Sequence, residues 1–304
     1  MAAGPAAWSD AIAAARAHDG PRVAGARLRL PFEVADYVDF YSSLEHATNI
    51  GRMFRPDAEP LLPNWRHLPV GYHGRAGTVV VSGTDVVRPH GQLGAGEFGP
   101  TRKLDVELEL GFVVGVPSRL GEPVPVDAFA DHVFGVVLVN DWSARDIQAW
   151  EYVPLGPFLG KSFQTSISAV VTPLALLEPR RVEAPLQDPP PLPYLAGGRD
   201  WALDLDLELE LNGETISRGN ARTLYWTMPQ QLAHATVNGA SVRTGDLMAS
   251  GTISGAEPGS EGSLIERFGN TRFLADGDEV VLRASDLGEV RGRVVPSYET
   301  LTGA

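Results

Sequence analysis

The sequence predicts a β-rich α+β fold, a folded-over mixed sandwich or roll with few short helices. Three observations carry this: many short segments follow a strand pattern, only two or three stretches read as helix, and 33 glycines punctuate the chain. The same features argue against a doubly wound α/β sheet, in which strands alternate with long helices.

Residues 8–17 are Ala-rich, with Ser9 and Asp10 in the first turn and Gly20 beyond the end, so a short peripheral helix is expected. A strand is expected near 78–82. From Leu104 onward, Leu104, Val106, Leu108 and Leu110 alternate with Asp105, Glu107 and Glu109, which places the carboxylates on one strand face and the apolar side chains on the other. Phe134 to Val139 reads as a buried strand. Leu177 to Gly198, with Pro189, Pro190 and Pro191 in a row, is expected to be a surface loop without a regular element. A second acidic strand follows, in which Leu203, Leu205, Leu207, Leu209 and Leu211 alternate with Asp204, Asp206, Glu208 and Glu210 up to the hairpin signal Asn212-Gly213. Thr227 with Gln230 reads as a capping box opening a helix that Gly239 closes. Further strands are expected near 246–250, 279–284 and 289–295.

Composition narrows the function. With 304 residues the chain can bury a large core, and one dominant domain is expected. No apolar run reaches the roughly 18 residues of a membrane span, and the first residues lack the pattern of an export or transit signal, so a cytoplasmic protein without a membrane partner is expected. The net charge of -13 repels phosphate backbones and argues against nucleic acid. There are no cysteines, so a metal must be held by oxygen or imidazole, and a cysteine nucleophile is excluded. Gly94 to Gly99 matches a dinucleotide-binding fingerprint in letters, but no strand leads into it and Pro100 stands where its helix should run. Gly251 to Gly255 has the wrong spacing for a nucleophile elbow, and the seven histidines lack common zinc spacings.

A hard divalent cation needs several carboxylates converging on one point, and strand alternation lets Glu107 and Glu109 supply two. Asp204 to Glu210 fit that pattern equally well, and a solvated acidic face accounts for either strand. Periodicity leaves the choice open.

More specific is the run DYVDFYSSLEHATNIGRMFR, Asp36 to Arg55, which gathers two Asp, two Tyr, a His and two Arg in a segment of little periodicity, suited to a functional loop. Together with LLPNWRHLPVGYHGR (61–75), NDWSARDIQAWEYVPLGPFLGKSFQTSIS (140–168) and LMASGTISG (247–255), it resembles the fumarylacetoacetase family over residues 30 to 295. The resemblance implies the fold of that family's C-terminal domain and hydrolysis of a carbon-carbon bond in a 1,3-diketo acid, at the end of tyrosine and phenylalanine breakdown. It implies a Ca²⁺ or Mg²⁺ ion on Asp39, Glu107, Glu109 and Asp141, which favours the first acidic strand. It also implies His46 as general base oriented by Glu266, and Arg145, Gln148 and Lys161 as donors to developing negative charge. Tyr41, Arg55, Tyr72, Gln148, Tyr152 and Thr252 match residues lining the substrate pocket, and Lys161 and Thr165 border a second cation site.

The family's small N-terminal β-barrel is expected to be absent, since 35 residues precede Asp36. Residues 1–30 are read as a helix and linker and 31–304 as the catalytic domain. The resemblance also implies a homodimer. Two other readings stand beside it: a related hydrolase or decarboxylase acting on an acylpyruvate or oxaloacetate, and a metal-stabilised binding protein without catalysis.

Overall fold

In the computed structural model, which describes residues 1–20 and 25–298, an eight-stranded mixed sheet is built around the nine-residue strand Val133–Asp141. Its path runs Gly71–His73, Tyr37–Phe40, Leu247–Ala249, Leu108–Val114, Val133–Asp141, Thr165–Ile167 and Val79–Val81, and Thr172–Pro173 also pairs with the central strand. Tyr37–Phe40 runs parallel to Leu247–Ala249, and Thr165–Ile167 parallel to Val79–Val81, whereas Val133–Asp141 is antiparallel to Leu108–Val114. A second sheet of five strands follows the order Glu214–Asn220, Asp206–Leu211, Glu279–Ala284, Gly288–Val295 and Val86–Val87.

The core explains this arrangement. Leu207, Leu209, Leu211, Val280, Leu282, Val290 and Val294 of the second sheet share one apolar cluster with Leu110, Phe112, Val136, Leu138 and Trp142. The opposite face of the first sheet is covered as well, for Tyr37, Val79, Val113, Val137, Val139, Ile167 and Leu247 form a separate cluster. Each such aliphatic or aromatic side chain contributes roughly 1.5–3 kcal/mol when fully buried. A sheet covered on both faces has no polar face to display, so its strands read as continuous apolar runs.

The fold class is therefore the one expected, an α+β fold of mixed sheets with few short helices. The strands near 78–82, 134–139, 246–250, 279–284 and 289–295 all form. Asn212 and Gly213 take positive φ of 53° and 82°, as a two-residue hairpin turn requires, and Gln230 Oε1 accepts the Thr227 N–H at 3.1 Å to open helix Met228–Thr236. Gly239, at φ 87°, donates its N–H to the Thr236 carbonyl. A strand, His90–Gly94, does lead into Gly94 to Gly99, contrary to expectation, but it turns back in a hairpin onto strand Glu97–Pro100 instead of opening a helix, so this is not a nucleotide-binding turn. Among the described residues no helix is long and apolar enough to cross a membrane.

Other expectations are corrected. The acidic segment from Leu104 is not one strand with a solvated face: Leu104–Asp105 pairs with Ser143–Ala144, Leu108–Val114 joins the large sheet, and Asp105, Glu107 and Glu109 are all buried. Asp36 to Arg55 is not a loop but strand Tyr37–Phe40 followed by helix Leu44–Phe54, capped by the Ser43 hydroxyl. Burial of all four strand residues hid the alternation. The proline-rich stretch 177–198 holds short 3-10 turns and strand Arg181–Val182, paired with Ala202–Leu203, so regular structure resumes between its prolines. The first helix is Pro5–Arg16; proline suits its first turn, and Trp8 packs edge-on against Phe134 at 5.4 Å.

Candidate active site and metal centre

Asp39, Glu109 and Asp141 lie on three strands of the large sheet, and their candidate ligand atoms converge within 4.8 Å of one another. Asp141 sits at the C-terminal end of the central strand, in register with Thr165, whose hydroxyl donates to Asp141 Oδ1 at 2.8 Å. Asp39 is in register with Tyr72, whose hydroxyl donates to Asp39 Oδ2 at 3.0 Å. Glu109 Oε2 accepts the Gly251 N–H at 3.1 Å. Gly251 has φ 77°, and a side chain there would collide with the Phe40 carbonyl, so glycine is required for this approach.

All three carboxylates are buried, and the energetics follow from that. Burial and the neighbouring Asp141 push the Asp39 carboxyl up to about 7 against the pull of Arg75 and Lys161. Burial, with Asp39 and Asp141 nearby, pushes Glu109 well above the usual carboxylate range. Asp39 Oδ1 and Glu109 Oε1 are buried without a hydrogen-bond partner. Unsatisfied anionic oxygens of this kind are costly, and a hard divalent cation bound by oxygen ligands satisfies both. The donor set therefore fits such an ion.

Glu107, the fourth implied ligand, stands beside this cluster and is engaged by two cationic side chains. Its Oε1 accepts from Arg145 Nη1 at 2.7 Å and its Oε2 from Lys161 Nζ. Burial would raise the Glu107 carboxyl, but Lys161 and Arg145 hold it well below its ordinary range. Lys161, 3% exposed, also donates to Asp141 Oδ2 at 2.6 Å, and its carboxylate neighbours keep it charged against burial. Arg145 reaches Gln148 Oε1 at 3.4 Å and Asp105 Oδ2 at 2.8 Å, while its buried Nη2 has no partner. Asp105 in turn accepts the backbone N–H groups of Leu264 and Ile265, which open the short helix carrying Glu266.

His46 occupies the first turn of helix Leu44–Phe54, and its Nδ1 meets Glu266 Oε2 at 2.6 Å. Ser263 and Ser254 hydroxyls donate to the same oxygen at 2.6 and 3.0 Å, and Asn49 Nδ2 donates to Oε1 at 3.0 Å. Burial opposes the charge of Glu266, yet His46 and these donors hold its carboxyl down at about 2. Engagement of Nδ1 directs Nε2 to any proton-transfer task. Tyr41 packs edge-on to the His46 ring at 5.3 Å.

The hydrogen-bonded assembly thus gathers Asp39, Glu107, Asp141, Arg145, Gln148, Lys161, Thr165 and Tyr72, Glu109 converges on its two aspartates, and His46 with Glu266 and the neighbouring Tyr41 ring form a second group. The two meet electrostatically, because His46 helps to lower the Glu107 carboxyl, and Glu107 adds to burial and Glu266 in raising the Tyr41 hydroxyl. Thr252 follows Gly251 and is buried with its hydroxyl unpartnered. Arg55 donates to the Pro60 carbonyl and acts on Tyr41. Tyr152, following helix Arg145–Glu151, is 51% exposed and lies outside the network.

Arg75 was absent from the sequence-based site. Its Nη1 donates to Asp141 Oδ1 and its Nη2 to Asp39 Oδ2, both at 2.7 Å. The sequence held one signal for it, the terminal position in GYHGR; Gly74 and Arg75 take φ of 130° and 75°, and a left-handed arginine is uncommon and concentrates at functional sites. Asp105, Asn49, Ser254 and Ser263 were also missed, and ordinary polar residues inside longer motifs give no separate signal.

The family model described as fumarylacetoacetate (FAA) hydrolase C-terminal matches residues 37–295. The chain is 50% identical to fumarylacetoacetase of Rattus norvegicus, over 90% of this chain and 73% of the rat protein. Among solved structures, fumarylacetoacetate hydrolase from Exiguobacterium antarcticum is similar with a TM-score of 0.61 at 20% identity, over 91% of this chain and 81% of that one. Fumarylpyruvate hydrolase from Pseudomonas aeruginosa, in complex with Mn²⁺ and pyruvate, has a TM-score of 0.59 at 19% identity, over 92% of this chain and 100% of that one.

Proposed function

Because the chain belongs to the fumarylacetoacetate hydrolase family, we propose that it hydrolyses 4-fumarylacetoacetate to fumarate and acetoacetate, the closing step of tyrosine and phenylalanine degradation. The observation that carries this reading is the pairing of a buried, partly unsatisfied carboxylate cluster with a carboxylate-oriented histidine. Asp39, Glu109 and Asp141 would hold the divalent cation, with Glu107 as the fourth carboxylate, itself oriented by Arg145 and Lys161. When bound, such an ion polarises the carbonyl groups of a 1,3-diketone. The Mn²⁺ in the fumarylpyruvate hydrolase supports a divalent ion here, and we read it as Ca²⁺ or Mg²⁺.

The residues then divide the chemistry. His46 Nε2 takes a proton from water as the water oxygen bonds to the fumaryl carbonyl carbon, and Glu266 steadies the resulting imidazolium through Nδ1. Arg145, Gln148 and Lys161 face the negative charge on the former carbonyl oxygen. Collapse breaks the bond from that carbon to the adjacent methylene, whose electron pair becomes the enolate of acetoacetate. The proton on Nε2 passes to the released methylene carbon, which becomes the methyl group of acetoacetate, and the water oxygen leaves in the new carboxylate of fumarate. Tyr41, Tyr72, Arg55, Tyr152 and Thr252 complete the pocket in this reading, and Lys161 with Thr165 borders a second cation. Family membership further supports a homodimer working in the cytoplasm.

The test is loss of the diketone absorbance of fumarylacetoacetate with chelated enzyme and with enzyme restored by Mg²⁺ or Ca²⁺, run beside acylpyruvate and oxaloacetate. Cation-dependent release of fumarate and acetoacetate is expected. Turnover of only the smaller acids would move the activity to a related hydrolase or decarboxylase, and no turnover of any would leave a binding protein.

A further inference from the structure

We infer that Arg75 is a positioning residue that locks the two aspartates of the cation site into a ligating arrangement, an inference that rests on the cation site proposed above. Asp39 and Asp141 belong to strands separated by two others in the sheet order. At about 4.8 Å per strand step, a flat sheet would hold these positions roughly 14 Å apart. Their carboxylates nonetheless approach within 4.8 Å, so the sheet curls and something must hold two anions together across it.

The Arg75 fork does so. One guanidinium nitrogen reaches each aspartate at 2.7 Å, and Nη2 also donates to the Tyr72 hydroxyl at 3.0 Å, which itself donates a hydrogen bond to the same Asp39 oxygen. Asp39 is thereby fixed by Oδ2 alone, and its Oδ1 is left without a partner, as is Oε1 of the converging Glu109. Arg75 is held in its turn: it lies 4.7 Å from the Tyr37 ring centroid and 5.1 Å from that of Tyr72, with its side chain 5% exposed. Its backbone is left-handed, two residues beyond the edge strand Gly71–His73, and from there the guanidinium reaches Asp39 and Asp141. A lysine keeps the charge but, as a point donor, cannot bridge two carboxylates with fixed geometry.

The experiment compares wild type with Arg75→Lys and Arg75→Met, measuring Mn²⁺ binding by the free-ion paramagnetic resonance signal and the cation concentration that half-activates turnover. Circular dichroism identifies the folded variants. Both variants should bind Mn²⁺ at least about tenfold more weakly, with the activation midpoint moving by the same factor, as loss of residues that orient metal ligands does. If Arg75→Met fails to fold, Arg75→Lys decides. Wild-type affinity in folded Arg75→Lys would overturn the inference alone, because charge without the fork would then suffice. Failure of the wild type to bind any cation would remove the cation site and the inference together.

Discussion

Glu266→Gln separates the two jobs that the glutamate performs, because the amide keeps the shape and one acceptor but not the charge. In the native site four donors converge on this carboxylate, His46 Nδ1, Ser254 and Ser263 on one oxygen and Asn49 on the other. They outweigh burial and hold the group at about 2 against its ordinary 4.5. At about 1.4 kcal/mol for each tenfold, the folded protein favours the ionised form by about 3 kcal/mol. Since the folded value is depressed, this stability is fully present above about pH 4.5 and is lost as pH falls toward about 2. Glu266→Gln should therefore be less stable at neutral pH by up to about 3 kcal/mol, and the gap to wild type should narrow as the pH is lowered through that window. Its kcat should fall by about 10²- to 10⁴-fold, since the imidazolium formed on His46 loses its counter-ion. Urea unfolding across the pH range and steady-state turnover of fumarylacetoacetate measure the two effects. A kcat within about threefold of wild type, or a stability gap indifferent to pH, would refute the role given to Glu266.

Two further perturbations test the rest of the site. Lys161→Met leaves buried oxygens of Glu107 and Asp141 without their shared cation, so stability should drop by about 3–5 kcal/mol and turnover by at least about 10²-fold, with added Mg²⁺ recovering part of the melting temperature. Calorimetric scans with and without Mg²⁺ show whether the ion offsets the missing charge. The double variant Glu208→Gln and Glu210→Gln, on the half-exposed second acidic strand, loses only partly exposed ion pairs with Arg283 and Arg218; stability should change by less than about 1 kcal/mol and Mn²⁺ affinity should hold. Loss of cation binding there would contradict placement of the ion on Asp39, Glu109 and Asp141.

The second sheet was legible because one of its faces is solvated: Leu207, Leu209 and Leu211 turn inward while Asp206 is exposed and Glu208 and Glu210 are half-buried, so the period of two survives in the letters. The large sheet was harder to read. Its 37–40 strand is buried on both sides, which erased the alternation and made Asp36 to Arg55 resemble a loop. The two acidic strands looked alike in sequence, and what divides them is long-range: Asp105, Glu107 and Glu109 are enclosed by Arg145, Lys161 and the Gly251 turn, whereas Glu208 and Glu210 meet surface arginines. Motif resemblance supplied His46 and Glu266, 220 residues apart in sequence, where no local pattern joins them. Arg75 escaped because its role depends on a sheet curling enough to bring Asp39 to Asp141, and curvature is not written at any single position.

Asp105 has a consequence for how the two ends of the reaction depend on each other. One of its oxygens takes Arg145 and both take backbone N–H groups of the helix that bears Glu266, so the proposed donor to negative charge and the proposed partner of the base share a single mounting point. Displacement of that carboxylate shifts both at once, and damage at either end, combined with a change at position 105, would be less than the sum of the separate effects.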